Sequence, residues 1–245
     1  MSASLFGAPA VLLVTVFASA AAVDDAKEKD YKDVPLDQIG VTVFQPTKDA
    51  KTGFIIGGMN ATDLIRKLTQ INGRSIADLE KDMRPGARGE NPMGKGIERF
   101  EGSTKGFLGK DEKLLDVLAM DNAFVVDRFG LTHQDIARPL LIAAALGERE
   151  RSNDKETLFR YQGQDYRLKM IRWKGSQFSP FYDRTHASCD AELENLTAKK
   201  KLKYSLLVPQ MIERYGFYEG KGTPYRVEPV EVLEVFPYLT AKKAN

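Results

Sequence analysis

Cysteine is almost missing from this chain: one residue in 245, Cys189. No disulfide can close within it, so the fold must hold by burial rather than by cross-links. A lone thiol ordinarily serves as a small buried hydrophobe. Histidine is nearly as scarce. His133 and His186 lie far apart, and neither sits in an HxxxH, HExxH or CxxC spacing, so a standard zinc site has too few ligands. No EF-hand spacing occurs either; no metal and no cofactor are expected. An excess of one charge is also lacking, with 36 basic and 34 acidic residues and a net charge of +2. That excludes a global grip on a polyanion, and nucleic acid is not expected as a partner. Beyond residue 23 no apolar run approaches the roughly 20 residues that cross a bilayer.

What the chain has is an ordinary globular composition, 42% hydrophobic and 29% charged, which places it outside the disordered class. Its first segment is different. Residues 3–23 carry no charge, and Val11-Leu12-Leu13-Val14-Thr15-Val16-Phe17 gives way to small residues that include Ala18-Ser19-Ala20. An apolar block followed by an Ala-x-Ala pattern reads as a cleavable export signal. Residues 1–22 are therefore expected to be a signal peptide and the protein to be secreted or periplasmic. The positive n-region is missing, so an uncleaved anchor is the alternative; membrane contact would then arise only through that retained segment. Residues 23–38 form a polar leader, and 39–240 a single domain.

Within that domain the pattern changes near residue 155. Before it the apolar residues recur with helical period. Residues 39–44 read as a short strand, and Asn60 as the cap of a helix carrying Leu64, Ile65, Leu68 and Ile71, closed by Gly73. Ser75 with Asp78 and Thr132 with Asp135 have capping-box spacing, and Leu131 with Ile136 stand at staple positions. Pro139 predicts a kink or a late start in the second of these helices. After residue 155 apolar residues alternate: strands flank Gln162-Gly163 as a hairpin, Cys189, Ala191 and Leu193 alternate with acids, and Leu202, Tyr204 and Leu206 follow. Residues 230–236 read as a last strand. The fold class expected is α+β, an N-terminal helical half packed on a C-terminal, mainly antiparallel sheet.

Three groups of residues are candidates for chemistry or binding. Asp183, His186, Cys189 and Asp190 invite a thiol nucleophile with its base, although residues three apart on a strand face opposite ways. Residues 84–110 hold seven glycines, two prolines and six basic residues against three acidic. This basic loop could hold an anion at Lys95 or Lys110, but it lacks the ordered P-loop pattern. The segment 215–226 gathers Tyr215, Phe217, Tyr218 and Tyr225 among glycines, with Trp173 and Tyr182 in the same half. It is either a stacking surface for a ligand or a loop folded onto the sheet. A helix–turn–helix look at 125–137 is read as a plain helical corner, since Asp135 and Pro139 stand where a basic, straight reading helix is wanted.

These observations favour an exported, non-catalytic domain that binds a small molecule, a glycan or a protein. The alternatives are an extracytoplasmic hydrolase using residues 183–190 and a membrane-anchored structural component of the envelope.

Overall fold

The computed structural model describes residues 32–33, 39, 41, 44–89, 100–101, 105–153 and 155–241, all within the unit Tyr31–Asn245. The proposed signal at 1–22, nearly all of the leader and Lys95 lie outside the described residues. The chain begins with β1 (Lys32–Asp33), the pair β2 (Thr47–Lys48) and β3 (Ile55–Ile56), and a single turn α1 (Thr62–Ile65). A small hairpin β4 (Gln70–Ile71) and β5 (Arg74–Ser75) leads into α2 (Ile76–Asp82), and β6 (Arg88–Gly89) pairs with β7 (Phe100–Glu101). Then come α3 (Leu114–Asn122), a π-helical turn Ala123–Arg128, and α4 (His133–Arg149). The strands β8 (Thr157–Tyr161), β9 (Gln164–Phe178), β10 (His186–Asn195) and β11 (Lys200–Ser205) follow, and α5 (Leu207–Tyr215), α6 (Pro229–Val235) and α7 (Tyr238–Ala241) end the chain. The protein is a mixed α+β protein.

Its centre is the antiparallel meander β8-β9-β10-β11, with β1 added in parallel beside β8. Each strand alternates, so the sheet has two unlike faces. Phe159, Tyr166, Leu168, Met170, Cys189, Ala191, Leu193, Leu202 and Tyr204 point inward and are buried. Against them lies α4: the Tyr204 hydroxyl donates to the Leu140 carbonyl at 3.0 Å. A Cβ on Gly147 would meet Met170 Sδ at 2.8 Å, so only glycine permits this approach of helix to strand. At the other end of the same face Tyr166 and Asn195 donate to the Val235 carbonyl of α6. The Gln162–Gly163 turn has positive φ at both residues, 49° and 71°, as a type I′ hairpin demands.

Helix starts obey their caps. Ser75 accepts from Asp78 N, and at Thr132 both halves of the capping box form. From that cap α4 runs straight through Pro139. The helix interior cost of proline, about 3 kcal/mol, is outweighed by the burial of Ile136, Leu140, Ala143 and Leu146.

Three expectations fail. The described positions among 39–44 form no strand. The helix expected through Ile71 lasts one turn, because Asn60 binds the Ile55 backbone instead of capping it. Asn72-Gly73, with φ of 50° and 76°, is a two-residue hairpin turn. Residues 230–235 are helical in α6 (Pro229–Val235), and Phe236 caps its end. Buried 229, 232, 233 and 236 share one helical face, while 230, 231 and 234 are exposed.

Candidate functional site

The outward face of the sheet carries an ordered lattice of charge. Down its middle β10 places Asp190, Glu192 and Glu194 at every second position. Register sets Arg167 of β9 and Lys201 of β11 on either side of Glu194, and Lys169 and Lys203 on either side of Glu192. Opposite charges facing each other across strands are mutually stabilising, by roughly 0.2–1 kcal/mol a pair. Lys201 and Arg167 bond Glu194 at 3.3 and 3.4 Å, and Lys203 bonds Glu192 at 3.2 Å. Together they line a trough enclosing about 480 Å³.

At the third acid the pattern breaks. Asp190 has Ile171 and Ser205 for lateral neighbours, neither of them a cation. It is 3% exposed, and its Oδ2 has no hydrogen-bond partner. A buried unpaired acceptor bears a desolvation cost of about 1–3 kcal/mol. Its carboxyl is raised by that burial, and the Trp173 indole and Lys203 only partly offset the effect. Trp173 stands two residues along β9 from Ile171, at a wide bulge: residues 173–176 oppose Ser188 alone, and Gly175 takes φ 92°. Trp173 is 52% exposed.

A second acid reaches the same place from the segment after α5. Glu219 is 2% exposed and sits at φ 68°, strained for a non-glycine residue. Its backbone is pinned on both sides. Gly220 N donates to the Phe107 carbonyl, and Val227 N donates to the Tyr218 carbonyl. A Cβ at Gly220 would meet Glu112 Oε2 at 2.0 Å. Thr223 Oγ1 lies 2.8 Å from Glu219 Oε2 and 3.0 Å from the Gly220 carbonyl. The hydroxyl has one hydrogen and a carbonyl can only accept. Both contacts form together when the carboxyl brings a hydrogen of its own. Burial raises this carboxyl to about 8, against the pull of Thr223 and Arg226, and the charge of Asp190 adds to the rise. Tyr225, half-buried, is raised by burial and by both acids, with Lys203 opposing. Asp190, Glu219, Tyr225, Lys203 and Trp173 thus act on one another at one spot.

The floor beneath is a polar network. Arg226 makes a bidentate pair with Asp121 at 2.8 and 3.1 Å, binds Glu228 through Nε and Nη2, and donates to the Glu219 carbonyl. Both Arg226 and Asp121 side chains are nearly fully buried. Burial raises Asp121 to about 6 despite Arg226, low enough to leave it ionised at neutral pH. Next to it His133 is driven down to about 4 by burial, so its ring is neutral. Its Nε2 faces Asn122 Oδ1 at 3.2 Å and its Nδ1 faces the Tyr218 hydroxyl at 3.0 Å. Because the amide oxygen only accepts, Nε2 carries the hydrogen and Tyr218 donates to Nδ1. Asn122 in turn donates to Thr62, and Thr62 to Asp127.

The residues singled out in the sequence fall in different places. Asp183 is a structural anchor: Arg214 pairs with it at 2.8 Å, and Thr185 and Tyr215 donate to it. Burial pushes it up, but those bonds prevail and hold it below its ordinary value. His186 is exposed against Phe178, its ring 3.4 Å from the Arg184 carbonyl. Cys189 is in the core, and among the described residues no hydrogen bond joins it to His186. The four residues do not converge, because β10 sends its neighbours to opposite faces. Lys110 is exposed. Tyr215, Phe217 and Tyr218 are core residues, with Tyr215 stacked on Phe181 at 4.0 Å; they offer no stacking surface. Tyr225 alone of that aromatic set is half-exposed at the candidate site. Asp190 was named from the sequence, though as a neighbour of His186 and Cys189, while Glu219, 29 positions later among aromatics and glycines, was not singled out.

Among the described residues no group of three His, Cys, Asp or Glu side chains is placed to hold a metal, and no helix is long and apolar enough to cross a membrane. Compared with protein-family models, with curated proteins and with solved structures, the chain matches none.

Proposed function

We propose that the chain is an exported, non-catalytic binding domain that takes a small molecule where Asp190 and Glu219 meet under the rim of Trp173 and Tyr225. The observation that carries this reading is the Asp190 carboxyl, buried on the sheet's polar face with one oxygen unpaired. Native proteins rarely leave such a group without a use, and a ligand donor would satisfy it. The aromatic rim, the strained Glu219 and the bulge in β9 all fall beside it, as binding features often do. On this reading the helical half packs the inner face of the sheet and leaves the charged face free for the ligand. Export is supported by the uncharged apolar segment at 3–23, which ends in small residues.

A thermal-shift screen of amines, polyols and sugars tests the proposal. A ligand bound only by the folded protein at a hundred times its Kd adds about 2.7 kcal/mol of stability. Hits should raise the melting temperature of the wild type and lose most of that effect in Trp173→Ala and Asp190→Asn. Equal shifts in all three proteins would remove the site from consideration.

A further inference from the structure

We infer that the ligand is a small organic cation, a primary or methylated alkylammonium, which pairs with Asp190, the acid of the β10 row that has no lysine or arginine opposite it on either neighbouring strand. The inference rests on the binding site proposed above and specifies its chemistry. Three observations carry it. The acid row of β10 has cations on both sides at two of its three members and on neither side at the third. The Lys203 ammonium, whose field also reaches Asp190, is bonded to Glu192. The Trp173 indole lowers the Asp190 carboxyl, and among the described residues Oδ2 has no hydrogen-bond partner, which leaves it to an incoming donor.

A neutral polyol could supply that donor but would leave the Asp190 charge uncompensated in a dry position. A primary ammonium supplies donor and charge together, choline supplies the charge at its quaternary nitrogen and the donor at its hydroxyl, and the Trp173 and Tyr225 rings favour a cation over their faces. The charges of Asp190 and Arg226 act on Glu219, those of Asp190, Lys203 and Glu219 act on Tyr225, and Glu112 lies against the Gly220 backbone. Arg226 is engaged by Asp121 and Glu228, so it does not neutralise Glu219. A bound cation does: the carboxylic acid gives its proton to solvent, and the carboxylate so formed faces the ammonium.

Trp173 is the single tryptophan, so its fluorescence reports on the site directly. The full chain is titrated with choline, butylammonium and the uncharged choline isostere 3,3-dimethylbutanol. The two cations should change Trp173 emission saturably, with the alcohol at least about tenfold weaker. Affinity for choline, whose charge is fixed, should rise about tenfold per pH unit below the Glu219 value of about 8 and level off above it. Glu219→Gln should abolish that rise. A neutral isostere bound as tightly as choline, no saturable response to either cation, or a flat pH profile in the wild type overturns the cation inference while leaving the site standing. Equal choline affinity in wild type and a folded Asp190→Asn variant overturns the site as well.

Discussion

At the scale of single residues, Glu219 and His133 have opposite effects on stability as pH changes. Glu219 keeps its proton to about 8 in the folded state, against 4.5 for the ordinary side chain. Between those values the folded state binds more protons than the unfolded chain, so stability falls as pH rises, by about 1.4 kcal/mol per unit at most. His133 is lowered from 6.5 to about 4. Over that range the unfolded chain binds more protons, and stability is lost as pH falls. The two oppose each other below 6.5, and Glu219 acts without that opposition from there to about 8. Urea denaturation should therefore show wild-type stability declining from about pH 6.5 to 8 and then flattening, with Glu219→Gln lacking the decline. An unchanged slope in the variant would show that Glu219 is ionised throughout.

At the scale of elements, α5 is fixed to α4 through one glycine. Gly216 ends α5 in the left-handed region at φ 66°, and a Cβ there would meet His133 Nε2 at 2.6 Å. Gly222 has a similar φ of 85° with nothing within 4 Å. Gly222→Ala should cost about 1–2 kcal/mol, the left-handed penalty alone. Gly216→Ala should cost about 1–3 kcal/mol more, from crowding of the His133 ring. Chemical denaturation of both variants separates conformation from contact; equal losses would mean that the ring moves aside freely. Elements were legible in the sequence where a single period ruled. The capping box at Thr132, the Gln162–Gly163 hairpin and the alternation through β10 and β11 all read correctly, while Ser75 forms only the accepting half of its box. Where two signals competed, the longer-range one prevailed. Asn72-Gly73 resembled a helix end but is a hairpin turn, because Asn60 is occupied by Ile55. In α6 the alternating valines suggested a strand, whereas Pro229 at the first turn and burial on one helical face decide for helix.

At the scale of the whole molecule, the sheet divides the work. Its inner face holds the core, including the one thiol, and its outer face carries paired charge that ends in an unpaired acid. The aromatic residues of segment 215–226 were legible as a cluster, and the reading of a loop folded onto the sheet agrees with the burial of Tyr215, Phe217 and Tyr218. The site itself was only half legible: Tyr225 and Trp173 could be named, while the meeting of Asp190 with Glu219 depends on the register of β9 to β11. The central claim is that the Asp190 carboxyl is the ligand's anchor. Calorimetric titration of butylammonium into wild type and into Asp190→Asn, both verified as folded, tests it most directly. Loss of one charged hydrogen bond, about 1.5–3 kcal/mol, predicts affinity at least about tenfold weaker in the variant. Matching isotherms would contradict the account.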